Sequence, residues 1–185
     1  MDGISYCGLQ WLNVVSSIAF LIAAAALYKN KSRILVLLLA LTGIGSFLWH
    51  LIGGITFLFD AIPIALFLIG YAYLLLRKKH WALVLAALML IVSVLRPLDS
   101  LLFGAQPYVI ALIFIGIHLI DKNIRKRLML PFILFAGAIM FRQIDPFVCA
   151  FFPPGTHFIW HILVAAAAYY AVKNLSALNR TGGHF

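Results

Sequence analysis

Long apolar runs separated by short polar or basic breaks set the pattern of the chain. Seven such spans can be drawn, at about 10–28, 34–52, 55–76, 81–97, 104–120, 128–148 and 156–173. Each approaches the ~20 residues that a helix needs to cross the hydrocarbon core of a bilayer. The pattern predicts an all-α protein: one polytopic membrane domain over residues 1–185, folded as a seven-transmembrane helix bundle. The boundary between the fourth and fifth spans is the least sharp, because Arg96, Pro97 and Asp99 crowd it. The alanine patches at 23–26 and 165–168 suit close helix packing rather than chemistry.

Composition agrees. Of 185 residues, 65% are hydrophobic and 10% charged, and Glu is absent; soluble domains carry roughly 25% charged residues. The mean hydropathy is +1.08. The net charge of +9 could suggest nucleic acid, but its placement argues against that. Lys29, Lys31 and Arg33 follow the first span, and Arg77, Lys78 and Lys79 the third. Lys122, Arg125, Lys126 and Arg127 follow the fifth, and Lys173 and Arg180 the seventh. Of the 14 basic residues, all but Arg96 and Arg142 thus fall on one side. The positive-inside rule then puts the N-terminus outside and the C-terminus in the cytoplasm. The leader carries Asp2 and no Lys or Arg before the first apolar run, the reverse of a signal peptide, so the first span is expected to stay in the mature chain.

Against this background a few polar residues stand out. Ser46 and His50 are four apart in the second span, Asp60 opens the third, and His157 and His161 are four apart in the seventh. Each four-residue pair shares one helix face. With alternate spans running in opposite directions, all five fall within roughly 10 Å of the same, outer membrane face. Ionisable side chains inside a membrane are costly and mark function by default. Three imidazoles around one cation leave a fourth position for water, the arrangement of catalytic zinc. Asp60 is placed to accept and return a proton, and Ser46 to hydrogen-bond an oxyanion. Interhelical hydrogen bonding is the plain alternative for each residue alone, and paired histidines could instead ligate haem.

At these residues the chain resembles the alkaline ceramidases, within the superfamily that also holds the progestin/adiponectin-type receptors. GIGSFLWHLIGGITFLFDAIPIALF, residues 43–67, is similar to the family's G-x-G-S-x-x-x-H block followed by Asp. FRQIDPFVCAFFPPGTHFIWHIL, residues 141–163, is similar to its Asp-x3-Cys segment and terminal H-x3-H. QWLNVVSS, residues 10–17, is a fainter match to an E-F-x-N-T-x-S-N pattern, with Gln10 and Ser17 where Glu and Asn are expected. The fourth and fifth spans match in hydropathy alone.

The resemblance implies a zinc-dependent intramembrane hydrolase of ceramide or a similar N-acyl lipid. It implies zinc held by His50, His157 and His161, with Asp60 and Ser46 as the catalytic pair and the site facing the non-cytoplasmic side. A receptor-like protein with little hydrolysis is the alternative within the superfamily. Cys7 and Cys149 both lie outside by the charge argument, where a disulfide is chemically permitted; similar cysteines are paired in the family, and two free thiols are the other possibility. The calcium site of some members is not expected here. Gly8 and Gln10 stand where acids would be, and a hard cation wants several carboxylate or carbonyl oxygens.

The remaining polar residues read as structural. Arg142 and Asp145, three apart, are expected to pair, as are Arg96 and Asp99. His118 is expected to serve helix packing; His80 falls in a basic loop and His184 in the tail. Trp49 and Trp160 belong either to an interfacial aromatic belt or to the walls of the site. Gly53–Gly54 and Pro63 either shape an opening or make a tight loop and a kinked helix.

Overall fold

A computed structural model describes residues 7, 10–76, 78–94, 102 and 104–180, without the side chains of 123 and 176–180. Asp2, Gly8, Arg77, the Arg96–Asp99 pair and His184 lie outside the described residues. Those described form helices and their connections: α1 (Trp11–Ser16), α2 (Ile18–Ala26), α3 (Arg33–Ile52), α4 (Phe57–Leu76), α5 (Lys79–Val94), α6 (Gln106–His118), α7 (Lys122–Val148) and α8 (His157–Arg180). A 3₁₀ turn, Gly54–Thr56, leads into α4.

Four segments are long and apolar enough to cross a membrane: Arg33–Ile52, Gly54–Leu76, Ile124–Val148 and His157–Leu175. Trp11–Ala26, Lys79–Val94 and Gln106–His118 are shorter apolar helical stretches. The expected first span is interrupted at Ser17. There the hydroxyls of Ser16 and Ser17 both donate to the Asn13 carbonyl, at 3.1 and 2.8 Å. Such back-bonding competes with the helical ladder and bends helices.

From α2 to α8 each helix packs on the next, and α8 closes the ring against α2. The short α1 lies against α3 and α8. Large apolar side chains such as Ile22, Leu90, Val94 and Ile120 face outward, exposed. Polar side chains are inside instead: Asn13, Ser17, Ser46, Asp145, His157 and His161 are all buried. A hydrocarbon surround explains that inversion, since lipid solvates the apolar exterior and polar groups find partners only within the bundle.

Two glycines of the GIGS segment set the spacing around α3. A Cβ on Gly43 would come within 2.9–3.0 Å of Leu21 and Phe20 on α2. A Cβ on Gly45 would overlap the backbone of Phe59 and Asp60 on α4. Because these positions face roughly opposite sides of α3, the motif holds α2 against one side and the start of α4 against the other. The Cys7–Cys149 disulfide, with Cα atoms 5.1 Å apart, ties the segment before α1 to the end of α7. His50, Asp60, His157 and both cysteines thus share one end of the bundle. Lys29, Lys31, Arg33, Lys78, Lys79, Lys122, Arg125, Lys126 and Lys173 mark the other.

Candidate metal centre

His50, His157 and His161 converge from the end of α3 and the first turns of α8. One ligand atom from each lies within 4.8 Å of the others, and all three residues are buried. The ring centroids are 5.1 Å (50–157), 4.9 Å (50–161) and 4.8 Å (157–161) apart. His50 Nε2 and His161 Nε2 are 3.3 Å apart.

Neighbouring polar groups assign the tautomers of two of these rings. Gln10 Oε1, which only accepts, lies 3.2 Å from His50 Nδ1. His50 Nδ1 therefore carries the proton and its Nε2 is a bare lone pair. Ser16 Oγ directs its one proton at the Asn13 carbonyl and so accepts from His161 Nδ1 at 2.8 Å. That leaves His161 Nε2 unprotonated as well, with Ser46 Oγ 3.4 Å away. Two lone pairs facing each other at 3.3 Å repel unless a proton or a metal ion lies between them. Nitrogens bound to one tetrahedral ion at ~2.0–2.1 Å are separated by roughly 3.3–3.4 Å, so the observed spacing fits a metal. The three histidines are therefore close enough to bind a metal ion. An imidazole-only donor set suits zinc, copper, iron or nickel.

The supporting shell comes from α1 and the residues before it. Gln10 Nε2 donates to the Cys7 carbonyl (3.2 Å), and Asn13 Nδ2 donates to Gln10 Oε1 (3.2 Å). Ser17 Oγ lies 3.1 Å from Ser46 Oγ, which is 3.4 Å from His161 Nε2. Such partners orient the ligands and raise their basicity. Sequence reading gave Gln10, Asn13, Ser16 and Ser17 no part in the site. Their signal was polar residues at 10, 13 and 16–17, one helix face of an otherwise apolar span.

Asp145 caps the helix that carries two of the histidines. Its Oδ1 accepts the backbone N–H groups of Thr156 (2.6 Å) and His157 (3.0 Å) at the start of α8. Gly155 makes room for the cap. It has φ +69°, and a Cβ there would meet Asp145 Oδ1 and the Cys7 sulfur. Disulfide, cap and ligand helix are thereby one unit.

Asp60 is outside the set of ligand atoms that the three histidines bring together. Its Oδ1 is buried with no hydrogen-bond partner among the described residues. Arg142 lies within electrostatic reach of Asp60 and of all three histidines. Its guanidinium sits over the rings of Tyr108 and Trp160, at 5.7 and 5.4 Å. Trp160 and Trp49 are both buried, the first against Tyr108 and the second against Phe57, so they wall the site rather than face lipid. His118 lies away from the cluster, with Nδ1 on the Phe114 carbonyl (2.7 Å) and Trp81 edge-on to its ring.

Comparisons with known protein families, curated proteins and solved structures find no match. The local geometry must carry the reading. Beneath the histidines runs an apolar cavity enclosed by α2, α3, α4, α6, α7 and α8. Phe20, whose ring lies 5.9 Å from that of His161, and Trp160 line its upper part; Phe67, Tyr71, Leu128 and Ala171 line its lower part.

Proposed function

We propose that the protein is a seven-span, zinc-dependent intramembrane hydrolase that cleaves the amide bond of ceramide or a similar N-acyl lipid. The observation that carries this reading is the arrangement of three buried imidazoles at the head of an apolar cavity. A polar reacting centre with a greasy tail below it suits an amphiphile whose amide stops at the histidines. The family-like blocks at 43–67 and 141–163 support the same class. The one-sided basic residues support a site on the non-cytoplasmic face.

His50, His157 and His161 would hold the zinc, which when bound polarises a carbonyl and makes water nucleophilic near neutral pH. The residues of the chain supply the rest. Asp60 Oδ1, buried and without a hydrogen-bond partner among the described residues, takes the proton of the attacking water and delivers it to the departing amine. Ser46 Oγ, 3.4 Å from His161 Nε2, donates to the oxygen on which negative charge develops. The bonds balance: one C–N bond breaks, one C–O bond forms, and a fatty acid and an amine leave. The dry walls of Trp49, Trp160 and Phe20 keep bulk water from the intermediate. Haem ligation fits less well, because axial histidines approach an iron from opposite faces of the ring, whereas these imidazoles meet from adjacent directions.

The test is incubation of the purified protein with a panel of N-acyl lipids, with products read by mass spectrometry against the His161→Ala variant. Release of fatty acid and amine by the wild type alone is expected. Bound but uncleaved lipid across the whole panel would instead support the receptor-like alternative.

A further inference from the structure

Tyr71 is a polar group without a purpose in the reaction above. It is 4% exposed, lines the apolar cavity, and stacks on Phe67 with the rings 2° from parallel. Its hydroxyl is buried with no hydrogen-bond partner among the described residues. A buried, unsatisfied hydroxyl is costly and calls for a partner that enters with a ligand. Of the other two hydroxyl-bearing residues of this wall, Thr42 already gives its hydroxyl to the Leu38 carbonyl at 2.9 Å, and Tyr108 stands near the site end of the cavity, under the Arg142 guanidinium.

Depth identifies what that partner must be. Tyr71 follows Asp60 by eleven residues on α4, and Ala171 follows Trp160 by the same number on α8. Both intervals place the lower cavity roughly 16 Å below the site, the reach of about a dozen methylene groups of an extended chain. We infer that Tyr71 is a specificity residue that selects acyl chains carrying a hydroxyl group in mid-chain, near carbon 12. The inference rests on the reading of the cavity as the acyl site, and it does not require hydrolysis. An unsubstituted chain fills the same space and leaves the phenol unpaired; a hydroxylated one pairs it.

The test is equilibrium binding of octadecanoic acid and 12-hydroxyoctadecanoic acid to the purified full-length protein in detergent. The wild type is expected to hold the hydroxy acid about fivefold more tightly, the worth of one buried hydrogen bond, and 2-hydroxyoctadecanoic acid without that gain. Tyr71→Phe keeps the ring on Phe67 and is expected to abolish or reverse the preference while folding normally. Equal affinity of the wild type for all three acids, as a resident water on the phenol would give, overturns the proposal. So does a preference that persists in Tyr71→Phe. Should that variant not fold, the positional comparison in the wild type decides alone. Selective binding without amide cleavage would leave this inference standing and remove the hydrolase; cleavage without selectivity would do the reverse.

Discussion

At the scale of single residues, the proposed reading divides the site into ligands, their supports and a proton carrier, and each class has its own expected signature on substitution. His161→Ala removes an Nε2 from a buried set of three; bound metal and turnover are expected to vanish together, by elemental analysis and product assay. Asp60→Asn leaves the ligands alone. It should retain metal at wild-type stoichiometry yet lose turnover by about 10²-fold or more; full activity would take Asp60 out of the mechanism. Gln10→Ala deprives His50 Nδ1–H of its acceptor, and the expected cost is roughly 10–100-fold in metal affinity, measured by competition with a chelator. The histidines were legible in the sequence because a histidine in a membrane-length apolar run is an anomaly that needs no context. Gln10 and Ser16 were not, because small polar residues are ordinary glue in such helices and acquire meaning once α1 is seen against α3 and α8.

At the scale of elements, the geometry of α3 and α8 decides where those residues stand. Gly45 lets the backbone at Phe59–Asp60 approach α3, and the obstacle to any side chain there is a main-chain carbonyl that cannot rotate aside. Gly43 faces mainly the flexible Leu21 side chain. Gly45→Ala is therefore expected to lower the thermal midpoint and the turnover more than Gly43→Ala does. Equal effects would show that the close approach of α4 does not matter. The hydrophobic pattern located the long helices to within a residue or two at most ends, because length and apolarity set them. It missed the break at Ser17 and the capping of α8 by Asp145. Both arise from side chains that satisfy backbone groups, a competition that hydropathy does not register.

At the scale of the whole molecule, the closed ring of helices, the disulfide and the polar interior act together. The bridge joins Cys7 to Cys149 across 142 residues of chain and lies against the Asp145–Gly155 cap. Reduction, or Cys149→Ser, is expected to cost roughly 2–4 kcal/mol of stability and to loosen metal binding, since the same segment carries Gln10. An unchanged thermal midpoint under reductant would contradict that coupling. Which residues share an end of the bundle was legible from the alternation of spans and charges. The meeting of His50, His157 and His161 was expected from their shared depth and the family-like blocks; the distances between the rings were not, because register between helices far apart in sequence is set by packing.

The central claim is that water, directed by these residues, breaks a lipid amide. Its most direct measurement is hydrolysis of an N-acyl lipid by the purified protein in oxygen-18 water. The released fatty acid is expected to carry one heavy oxygen in its carboxyl group, and chelation before the incubation is expected to abolish the release. No fatty acid above the protein-free background from any N-acyl lipid would contradict the account.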